Sequence, residues 1–406
     1  MLPAQEAENI ILNLVKPLED AETVTLETAT GRILAQDVAS EVDFPYWDNS
    51  AMDGYAVRYE DVSQCSTDNP VTLEIIEEIP AGYPPQKTLQ SGQTARIFTG
   101  AMLPPGADTI VIQENTERSE NKVKILTAPE AKQFVRYQGS YYQAGNPMLN
   151  RGMVIKESDI AVLATAQCKD LNVYRRPKVA ILSTGDELVT PGNQLKPGQI
   201  VDSNQYALAS FVTRNGGIPL SLGIIRDRPE DLKNAIYQAI SQADMVLSTG
   251  GVSVGDYDYV DQILAELGGE IHIRAVAVKP GKPLTVASFN NGCIYFGIPG
   301  NPVSALVSCW RFVKPALAKL SGMSGNYKPT FINATTQQPL KAGGKRETYL
   351  WGNATIVEGE YQFSIAGGSQ QSANLINLAQ TNALAVVPIG EKFIPAGAKI
   401  KLLSIM

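Results

Sequence analysis

A chain of 406 residues is too long for one ordinary domain, so we expect two to four domains. Its hydrophobic content of 44% and charged content of 18% are typical of a globular protein with sizeable cores and exclude an intrinsically disordered chain. The net charge of −7 argues against general binding to nucleic acid or to anionic membranes. Because no uninterrupted apolar run reaches about 18 residues and the N-terminus lacks the basic region of a signal peptide, we predict a cytoplasmic protein.

The first 175 residues combine helical and β segments. We predict helices over residues 6–18 and 160–168, and the second precedes a strand. Short strands separated by turn residues are predicted between these helices, at 71–79, 95–99, 109–113 and 122–126. Most of the intervening region is therefore expected to be β structure.

Strands and helices alternate from Pro177 onward. The predicted strands cover residues 179–182, 219–225 and 245–247, and the predicted helices cover 204–214, 257–267 and a segment that begins at Pro229. This rhythm predicts a doubly wound, mostly parallel sheet, in which ligands bind beyond the carboxyl ends of the strands. A helix over 301–320 and a linker follow, and the short alternating strands from 330 to 406 predict a small β-domain.

The histidine and cysteine content limits the kinds of catalytic site that this chain can build. His272 is the single histidine and stands in an alternating segment, so we interpret it as a structural residue of a strand. The four cysteines lie far apart without CxxC spacing, which favours packing roles over disulfides or zinc ligation: Cys65, Cys168, Cys293 and Cys309. General acid–base chemistry therefore falls on carboxylates or lysines.

The segment 244–258, DMVLSTGGVSVGDYD, is the most informative part of the sequence. Its apolar start is typical of a buried strand, which breaks at Gly250 and Gly251 ahead of a helix. Such a turn leaves backbone N–H groups pointing outward, where they suit a phosphate. Asp256 and Asp258 in the same turn suit a hard cation such as Mg²⁺, which bridges phosphates to carboxylates. We therefore predict a phosphorylated substrate that is handled with a metal ion.

Three further loops follow predicted strands at the same edge of the sheet. The loop STGDEL carries Asp186 and Glu187, which could bind metal or orient a hydroxyl, although Asp186 could equally cap a turn. Asp227 in IIRDRP suits a ligand role or the N-cap of the helix that begins at Pro229. The segment GIPGNPVS, which ends at Ser304, is either an anion-binding helix N-terminus or the start of a helix without a binding role.

Two lysines and two loops far apart in the sequence add candidate binding groups. Lys279 and Lys282 lie in KPGKP, which ends at Pro283, and two ammonium groups on a tight turn suit a phosphate or oxyanion. The alternative is a hairpin with two solvated lysines. Asp53 in DNSAMDGY and Thr99 in TGAMLPPGAD offer hydrogen-bonding groups, although a turn role explains both loops.

These segments together resemble the molybdopterin molybdenumtransferase family, which includes the bacterial MoeA proteins and the C-terminal domain of gephyrin. The matching segments follow the family's order: DNSAMDGYAV, RIFTGAMLPPGADTIV, ILSTGDEL, IIRD, STGGVSVGDYD, KPGKP and GIPGNPVS. The two segments KPGKP and GGVSVGDYD together are highly specific for this family. A related adenylyltransferase domain shares the α/β unit but typically has a GGTG-type loop and lacks KPGKP, so the chain resembles the metal-inserting type.

The resemblance implies an activity and its partners. The family inserts molybdate into adenylylated molybdopterin, and the adenylate is cleaved with help from a divalent cation, Mg²⁺, which releases AMP and molybdenum cofactor. A homodimer is implied, and the upstream adenylyltransferase is a candidate partner. Two alternatives stay open, namely a scaffold or binding protein on the same fold and the insertion of tungstate instead of molybdate.

The family has four domains per subunit, which together with the patterns above gives an expected α/β multidomain architecture. We expect a discontinuous N-terminal α+β domain over 1–45 and 143–175 and a β-rich inserted domain over 46–142. A central doubly wound, mostly parallel α/β domain should cover 176–322, and a small β-barrel-like domain should cover 323–406.

The resemblance also assigns roles to individual residues. The expected catalytic residues are Asp258, Asp227, Lys279 and Lys282, and the expected metal ligands are Glu187, Asp227, Asp256 and Asp258. The expected substrate-binding residues are Ser253, Gly250, Gly251, Ser304, Pro283, Asp53, Thr99, Arg346 and Ser369. In the family, the residues that correspond to Asp53 and Thr99 act across a dimer interface.

This chain departs from the family pattern at two places. Ser140 and Tyr141 stand where the family often has an acidic pair, so the role of that carboxylate is absent or moved. In the C-terminal region, one of two family arginines is kept at Arg346, whereas Trp351 occupies the place of the other.

Overall fold

The computed structural model describes residues 1–250, 257–325 and 327–405, and for Tyr257 and Asp258 it describes the backbone alone. The contacts within the chain define two compact units. The larger unit comprises Met1–Gln36, Arg151–Glu157 and Asp170–Met406, and the smaller unit comprises Asp37–Asn150 and Ser158–Lys169. Among the described helices, none is both long and apolar enough to cross a membrane.

The chain begins, in the larger unit, with helix α1 (Ala4–Leu14), strand β1 (Ala21–Thr25) and the short helix α2 (Leu26–Ala29). The helix predicted over 6–18 was wrong at its C-terminal end, because the observed helix ends at Leu14. Val15 is already extended, with ψ of 122°. Pro17 follows shortly after, and a proline disfavours helical backbone at the residue before it, so the helix cannot continue to residue 18.

The smaller unit is mostly β structure, as predicted. Its elements are β2 (Val38–Ala39), β3 (Asn49–Ser50), β4 (Gly54–Val57), α3 (Tyr59–Val62), β5 (Val71–Ile79), β6 (Gln93–Ile97), β7 (Thr109–Ile112), β8 (Thr116–Ser119), β9 (Lys122–Ile125), β10 (Val135–Arg136), β11 (Pro147–Leu149) and most of α4 (Glu157–Thr165). The main sheet has the order β7-β4-β6-β5-β9-β8. Tyr55 and Ala56 of β4 belong to different core clusters, so both faces of this sheet are covered.

The second part of the larger unit contains the α/β sheet. Its elements are β12 (Asp170–Tyr174), β13 (Lys178–Thr184), β14 (Leu188–Val189), β15 (Ile200–Val201), α5 (Asn204–Arg214), β16 (Ile218–Ile225), α6 (Pro229–Gln242), β17 (Met245–Thr249), α7 (Tyr257–Glu266), β18 (Glu270–Ala275), β19 (Val278–Lys279), β20 (Pro283–Ser288), β21 (Ile294–Ile298), α8 (Pro302–Ser308) and α9 (Lys314–Leu320). The sheet order is β16-β13-β17-β21-β20-β18.

The pairing in this sheet confirms the doubly wound, mostly parallel prediction. Strand β13 is parallel to β16 and β17, and β17 is parallel to β21, whereas β20 and β18 form an antiparallel edge. Ile181 packs in one core cluster with Leu208 of α5, and its neighbour Leu182 packs in a second cluster with Ile236 of α6. Helices therefore cover both faces of the sheet.

The segment after β21 was predicted as one helix over 301–320. It is α-helical over Pro302–Ser308 and Lys314–Leu320, with a π-helical turn at Cys309–Val313 between them. Pro315 has no N–H to donate to the preceding turn and crowds the carbonyl four residues earlier, so the backbone widens just before it.

The C-terminal part of the larger unit is a barrel. Its strands are β22 (Phe331–Thr336), β23 (Leu340–Lys341), β24 (Glu347–Val357), β25 (Glu360–Ile365), β26 (Ala383–Val387), β27 (Phe393–Ile394) and β28 (Lys399–Ser404). The order β24-β25-β22-β28-β26 closes on itself because β26 also pairs with β24. This closure confirms the predicted barrel-like domain and leaves these strands without a free edge.

A buried polar network connects α1 with the helices after β21 and with the barrel. The Arg311 guanidinium contacts the Glu8 carboxylate, and the two side chains are 2% and 3% exposed. Arg311 Nε donates to the Tyr349 hydroxyl at 2.9 Å, and this hydroxyl donates to Glu347 Oε1 at 2.5 Å. Buried charges are tolerated only when they are paired and hydrogen-bonded in this way.

The predicted structural roles of the histidine and the cysteines agree with their positions. His272 lies in β18, and its Nε2 is 2.8 Å from Ser288 Oγ. All four cysteines are free, and Cys65, Cys293 and Cys309 are buried. Burial raises the pKa of the Cys293 thiol to about 12, which keeps it protonated and unreactive at neutral pH.

Asp244, the residue before β17, is held in an ion pair that should make stability depend on acid. Burial alone would raise the pKa of this carboxyl, but two hydrogen bonds of 2.7 Å from Arg175 and one from the Lys178 N–H lower it below 3.8. A depressed pKa in the folded state contributes stability that is present above the ordinary pKa and is lost as pH falls through the folded value.

We therefore expect Asp244→Asn to lower the free energy of unfolding by about 2 kcal/mol at pH 7, because it removes charged hydrogen bonds to a carboxylate that is only 17% exposed. The difference between the variant and wild type should shrink as the pH falls below about 4. Urea unfolding at pH 7 and pH 3 measures both effects. Glu266→Gln, which removes an exposed partner of Lys233, is the control, and an equal effect of the two variants would contradict the expectation.

Candidate active site

The carboxyl ends of the parallel strands meet at one edge of the sheet and bring the predicted loops together. Thr249 Oγ1 at the end of β17 donates to Ser183 Oγ of β13 at 3.2 Å. Gly250 has φ of +88°, and a Cβ there would lie 2.2 Å from the carbonyl oxygen of Thr184. A Cβ on Gly300 would lie 3.5 Å from Gly250 Cα. The loops after β13, β17 and β21 are therefore in contact, and Gly250 is required by both its φ and its packing.

The loop after β21 is fixed by a residue that the sequence did not single out. Asn204, the first residue of α5, donates from Nδ2 to the carbonyl oxygen of Gly300 at 2.7 Å. The nearby Asp202 accepts from the Gln205 N–H at 3.2 Å and is 2% exposed. These contacts join the start of α5 to the GIPGNP loop.

The lysine turn packs against the same edge. A Cβ on Gly281 would lie 3.0 Å from Ser308 Oγ and 3.6 Å from the Ser304 carbonyl oxygen, so the turn rests on α8. Gly281 has φ of +109°, which L side chains rarely adopt, and the preceding Lys279–Pro280 peptide is cis. Lys279 and Lys282 themselves are exposed. Their ammonium groups are therefore available to a ligand.

The barrel contributes the wall opposite the sheet. Strand β19 pairs in parallel with β24, with Lys279 beside Thr348. Arg346 Nη1 donates to the carbonyl oxygen of Val278 at 3.2 Å, which places this guanidinium next to the lysine turn. A third cationic side chain therefore lies beside the two lysines.

These elements enclose a cleft of about 1490 Å³. The predicted site residues that line it are Glu187, Asp227, Gly250, Lys279, Lys282, Pro283, Ser304 and Arg346. Lining residues that sequence reasoning missed are Asp202, Asn204, Lys341, Thr348, Tyr349 and Gln370–Ala373, most of which come from the barrel and the segment after β25. Sequence reasoning followed the loops after the strands of the α/β sheet and the lysine turn, and these residues lie outside those segments.

The carboxylates of this cleft are only partly described. Glu187 and Asp227 line the cleft, and the Asp227 N–H donates to Asp186 Oδ1 at 3.4 Å, so Asp186 caps the neighbouring turn. Gly251, Ser253 and Asp256 lie outside the described residues, and so does the side chain of Asp258, whose backbone begins α7. Their assigned roles stay predictions.

A divalent cation fits the donors that are described. Glu187 and Asp227 follow neighbouring parallel strands, and carboxylate oxygens are the ligands that Mg²⁺ prefers. Within residues 1–250, 257–325 and 327–405, side chains of His, Cys, Asp and Glu do not gather in groups of three or more, so the two described carboxylates would need further donors. Substrate phosphates and water supply such donors in magnesium sites.

Asp53 and Thr99 contact each other within the smaller unit. Thr99 donates from both its backbone N–H and its Oγ1 to Asp53 Oδ1, each at 2.7 Å. These two hydrogen bonds lower the pKa of the Asp53 carboxyl below its ordinary value of 3.8. Asp53 is therefore a carboxylate at neutral pH, and the role assigned to the pair stays a prediction.

We expect Thr99→Ala to raise the pKa of Asp53 towards 3.8, because the variant keeps the backbone hydrogen bond and loses the hydroxyl one. An NMR pH titration that follows the Asp53 carboxyl carbon measures the shift. Thr116→Ala removes a threonine hydroxyl on β8 that donates to Gln113 and should leave the pKa of Asp53 unchanged. A titration curve of Asp53 that is the same in all three proteins would show that the hydroxyl does not bind it.

The remaining predicted residues lie beside the cleft or outside it. Ser369 is exposed, precedes the lining residue Gln370, and accepts at its backbone oxygen from Asn377 Nδ2 at 3.0 Å. Trp351, which stands where the resemblance implies a second arginine, has no exposed surface and packs in the main core cluster, so it adds no charge to the cleft. Ser140 and Tyr141 are exposed residues of the smaller unit.

The fold and the cleft define a multidomain α/β protein with a cationic cleft at the carboxyl ends of a doubly wound sheet. Three family models match the chain in succession: the MoeA N-terminal region (domain I and II) at residues 2–166, a "Probable molybdopterin binding domain" at 180–319, and the MoeA C-terminal region (domain IV) at 333–405.

Known proteins are similar over the whole length. A molybdopterin molybdenumtransferase of Nostoc sp. is 55% identical over 100% of this chain and 94% of its own. One of Haemophilus influenzae is 32% identical over 99% and 98%. The crystal structure of a molybdopterin biosynthesis MoeA protein from Pyrococcus horikoshii is 29% identical, covers 100% of both chains and has a TM-score of 0.85.

The chain therefore belongs to the molybdopterin molybdenumtransferase family and is an enzyme of molybdenum cofactor biosynthesis. This membership confirms the resemblance inferred from the strand-end loops and the lysine turn.

Proposed function

We propose that this enzyme inserts molybdate into adenylylated molybdopterin, with cleavage of the adenylate and release of AMP. The observation that carries the proposal is the cleft, in which Lys279, Lys282 and Arg346 lie with the carboxylates of Glu187 and Asp227. Cations and metal-binding carboxylates in one place suit a substrate that presents a pyrophosphate and a second oxyanion. The volume of about 1490 Å³ is large enough for a nucleotide-linked pterin.

The lysine turn provides the positive charge for this chemistry. The two ammonium groups would neutralise phosphate and molybdate oxygens and hold them next to each other, which offsets the repulsion between two anions. Because the backbone of the turn is held by α8 and by β24, both lysines are anchored beside the cleft before the substrate arrives. Anchoring the lysines in this way would reduce the reorganisation that is needed when charge develops during the reaction.

The strand-end loops would bind the remaining groups of the substrate. The main chain around Gly250 and the start of α8 at Ser304 offer N–H groups to phosphate oxygens. Glu187 and Asp227, with Asp256 and Asp258 as the further assigned ligands, would hold Mg²⁺, which would polarise the phosphate that is attacked and stabilise the AMP leaving group. This account requires neither histidine nor a covalent protein nucleophile.

Several finer points belong to the same proposal. We propose a homodimer in which Asp53 and Thr99 complete the site of the other subunit, as the family resemblance implies. The adenylyltransferase that makes the substrate is the proposed delivery partner, and the cytoplasm is the proposed location. Molybdate is the proposed oxyanion, with tungstate as the competing one.

The test is an assay of AMP release by the purified protein. Adenylylated molybdopterin, Mg²⁺ and molybdate together should give AMP, and omission of molybdate or chelation of Mg²⁺ should prevent it. Replacing molybdate by tungstate compares the two oxyanions directly. If the protein binds the substrate but releases no AMP even when Mg²⁺ and molybdate or tungstate are all present, a scaffold protein is supported instead and the proposal is overturned.

A further inference from the structure

A second cavity of the larger unit lies at the opposite end of the α/β sheet. It has a volume of about 450 Å³, and Arg176 and Pro177, which directly precede β13, are among its lining residues together with Gly216, which comes just before β16. The catalytic cleft begins at Thr184, at the other end of β13. Strand β13, seven residues long, runs from one site to the other and spans about 20 Å. The second cavity is therefore a separate site.

The lining of this cavity is strongly cationic. Its charged side chains are Arg32, Arg175, Arg176, Arg214, Lys314 and Lys328, and its described lining includes no Asp or Glu. This concentration is unusual for a chain with a net charge of −7. An anion is the ligand that such a lining favours.

Two of these cations are already neutralised by carboxylates outside the cavity. Arg32 pairs with Glu22, and Arg175 pairs with Asp20 and Asp244. By contrast, Arg176, Arg214 and Lys328 have no carboxylate partner among the residues that the structure describes, and all three are exposed. Their charges are therefore available to a ligand.

Lys314 is another cation in the lining of the cavity, and its surroundings disfavour its charged form. It is half-buried, and burial together with the nearby Arg214 guanidinium lowers the pKa of its ammonium group. Both effects disfavour the charged form of Lys314 when the cavity contains only water. An anion between these two side chains would relieve the repulsion between them.

Aromatic residues complete the cavity. Tyr174, Trp310 and Tyr327 line it beside the cations. The cavity volume falls within the range of pockets that bind small molecules, and the lining combines apolar rings with a few charged groups as such pockets do. Guanidinium groups match phosphate geometry well, because two N–H groups can donate to two oxygens.

We propose that this cavity binds a phosphorylated small molecule, with Arg176, Arg214, Lys314 and Lys328 around its phosphate and the aromatic residues beside its organic part. The site is distinct from the molybdenum-inserting cleft, and the inference does not depend on the proposed reaction. A ligand here would contact α5, the start of α9 and the segment before the barrel at once. It would thereby join three parts of the larger unit.

The probe for the test is inorganic pyrophosphate, titrated calorimetrically at low ionic strength in the presence of EDTA. Lys279→Ala and Lys282→Ala are introduced first to remove pyrophosphate binding at the cleft, so that the binding that remains is measured at the second cavity. Adding Arg176→Gln and Arg214→Gln to this background should weaken pyrophosphate binding about tenfold or more, since two charged hydrogen-bond donors are lost. Lys328→Gln alone, at an exposed position, should weaken it by a smaller factor.

The matched control removes the same two charges elsewhere. Arg58→Gln with Arg118→Gln changes two arginines of the smaller unit that bind Glu60 and Glu78, and it should leave the affinity for pyrophosphate unchanged. The proposal is overturned if the cavity variant binds as tightly as this control. It is also overturned if the background without the two cleft lysines binds no pyrophosphate.

Discussion

Lys279→Ala is expected to lower the rate of AMP release at least about 100-fold and to leave the unfolding temperature close to that of wild type. The ammonium group lies in the cleft, where it would stabilise charge on the substrate oxyanions, and removing one preorganised donor of this kind typically costs a factor of 100 to 1000. Stability should hardly change because the side chain is exposed and the turn is held by Gly281 and by β24.

A control variant distinguishes a catalytic effect of Lys279 from a general effect of losing one positive charge. Lys345→Ala is the matched control, since Lys345 is exposed and close in sequence to Arg346 but does not line the cleft. Its rate should stay within about twofold of wild type. Steady-state rates of AMP release and thermal unfolding temperatures are measured for both variants and compared with those of wild type. Wild-type turnover in Lys279→Ala would remove the lysine turn from the proposed site.

Glu8→Ala is expected to give the largest loss of stability, about 3–5 kcal/mol in the free energy of unfolding of the larger unit. The substitution leaves the Arg311 guanidinium 2% exposed without its principal carboxylate partner. An uncompensated buried charge costs far more than the ion pair itself contributes. Denaturant unfolding followed by the fluorescence of Trp310 and Trp351, which lie in or against the same core, measures the effect.

Two further variants test this explanation. Glu360→Ala breaks an exposed ion pair with Lys399 and should change stability little. The double variant Glu8→Leu with Arg311→Met removes both charges and should be more stable than Glu8→Ala, because apolar side chains of similar size can replace a buried ion pair. If the double variant is as unstable as Glu8→Ala, the loss comes from packing and not from the unpaired charge.

Local sequence patterns predicted the α/β sheet well. Residues 179–182 and 245–247 are continuous apolar runs, and such runs alternating with helices leave few arrangements other than parallel strands. Parallel strands end at one edge, so the loops after β13, β16, β17 and β21 had to come together. Their convergence around Gly250 follows from this rule.

Two helix predictions were partly wrong, in each case because a proline outweighed the apolar spacing of the residues around it. The apolar spacing of 6–18 continued past Leu14, but Pro17 ended the helix. The helix predicted over 301–320 contains a π-helical turn before Pro315. In both cases one proline outweighed the periodicity of its neighbours.

The sequence by itself determined the order of strands and helices, the glycine turns that need positive φ, and the lysine turn, because each depends on residues adjacent in the chain. Only the tertiary structure decided that β19 pairs with β24, that Arg346 binds the carbonyl of Val278, and that Trp351 is buried in the core. The first two contacts join residues about 70 positions apart, and no local pattern specifies such pairs. The closing of the barrel against the sheet brings them together, and this packing builds the second wall of the cleft.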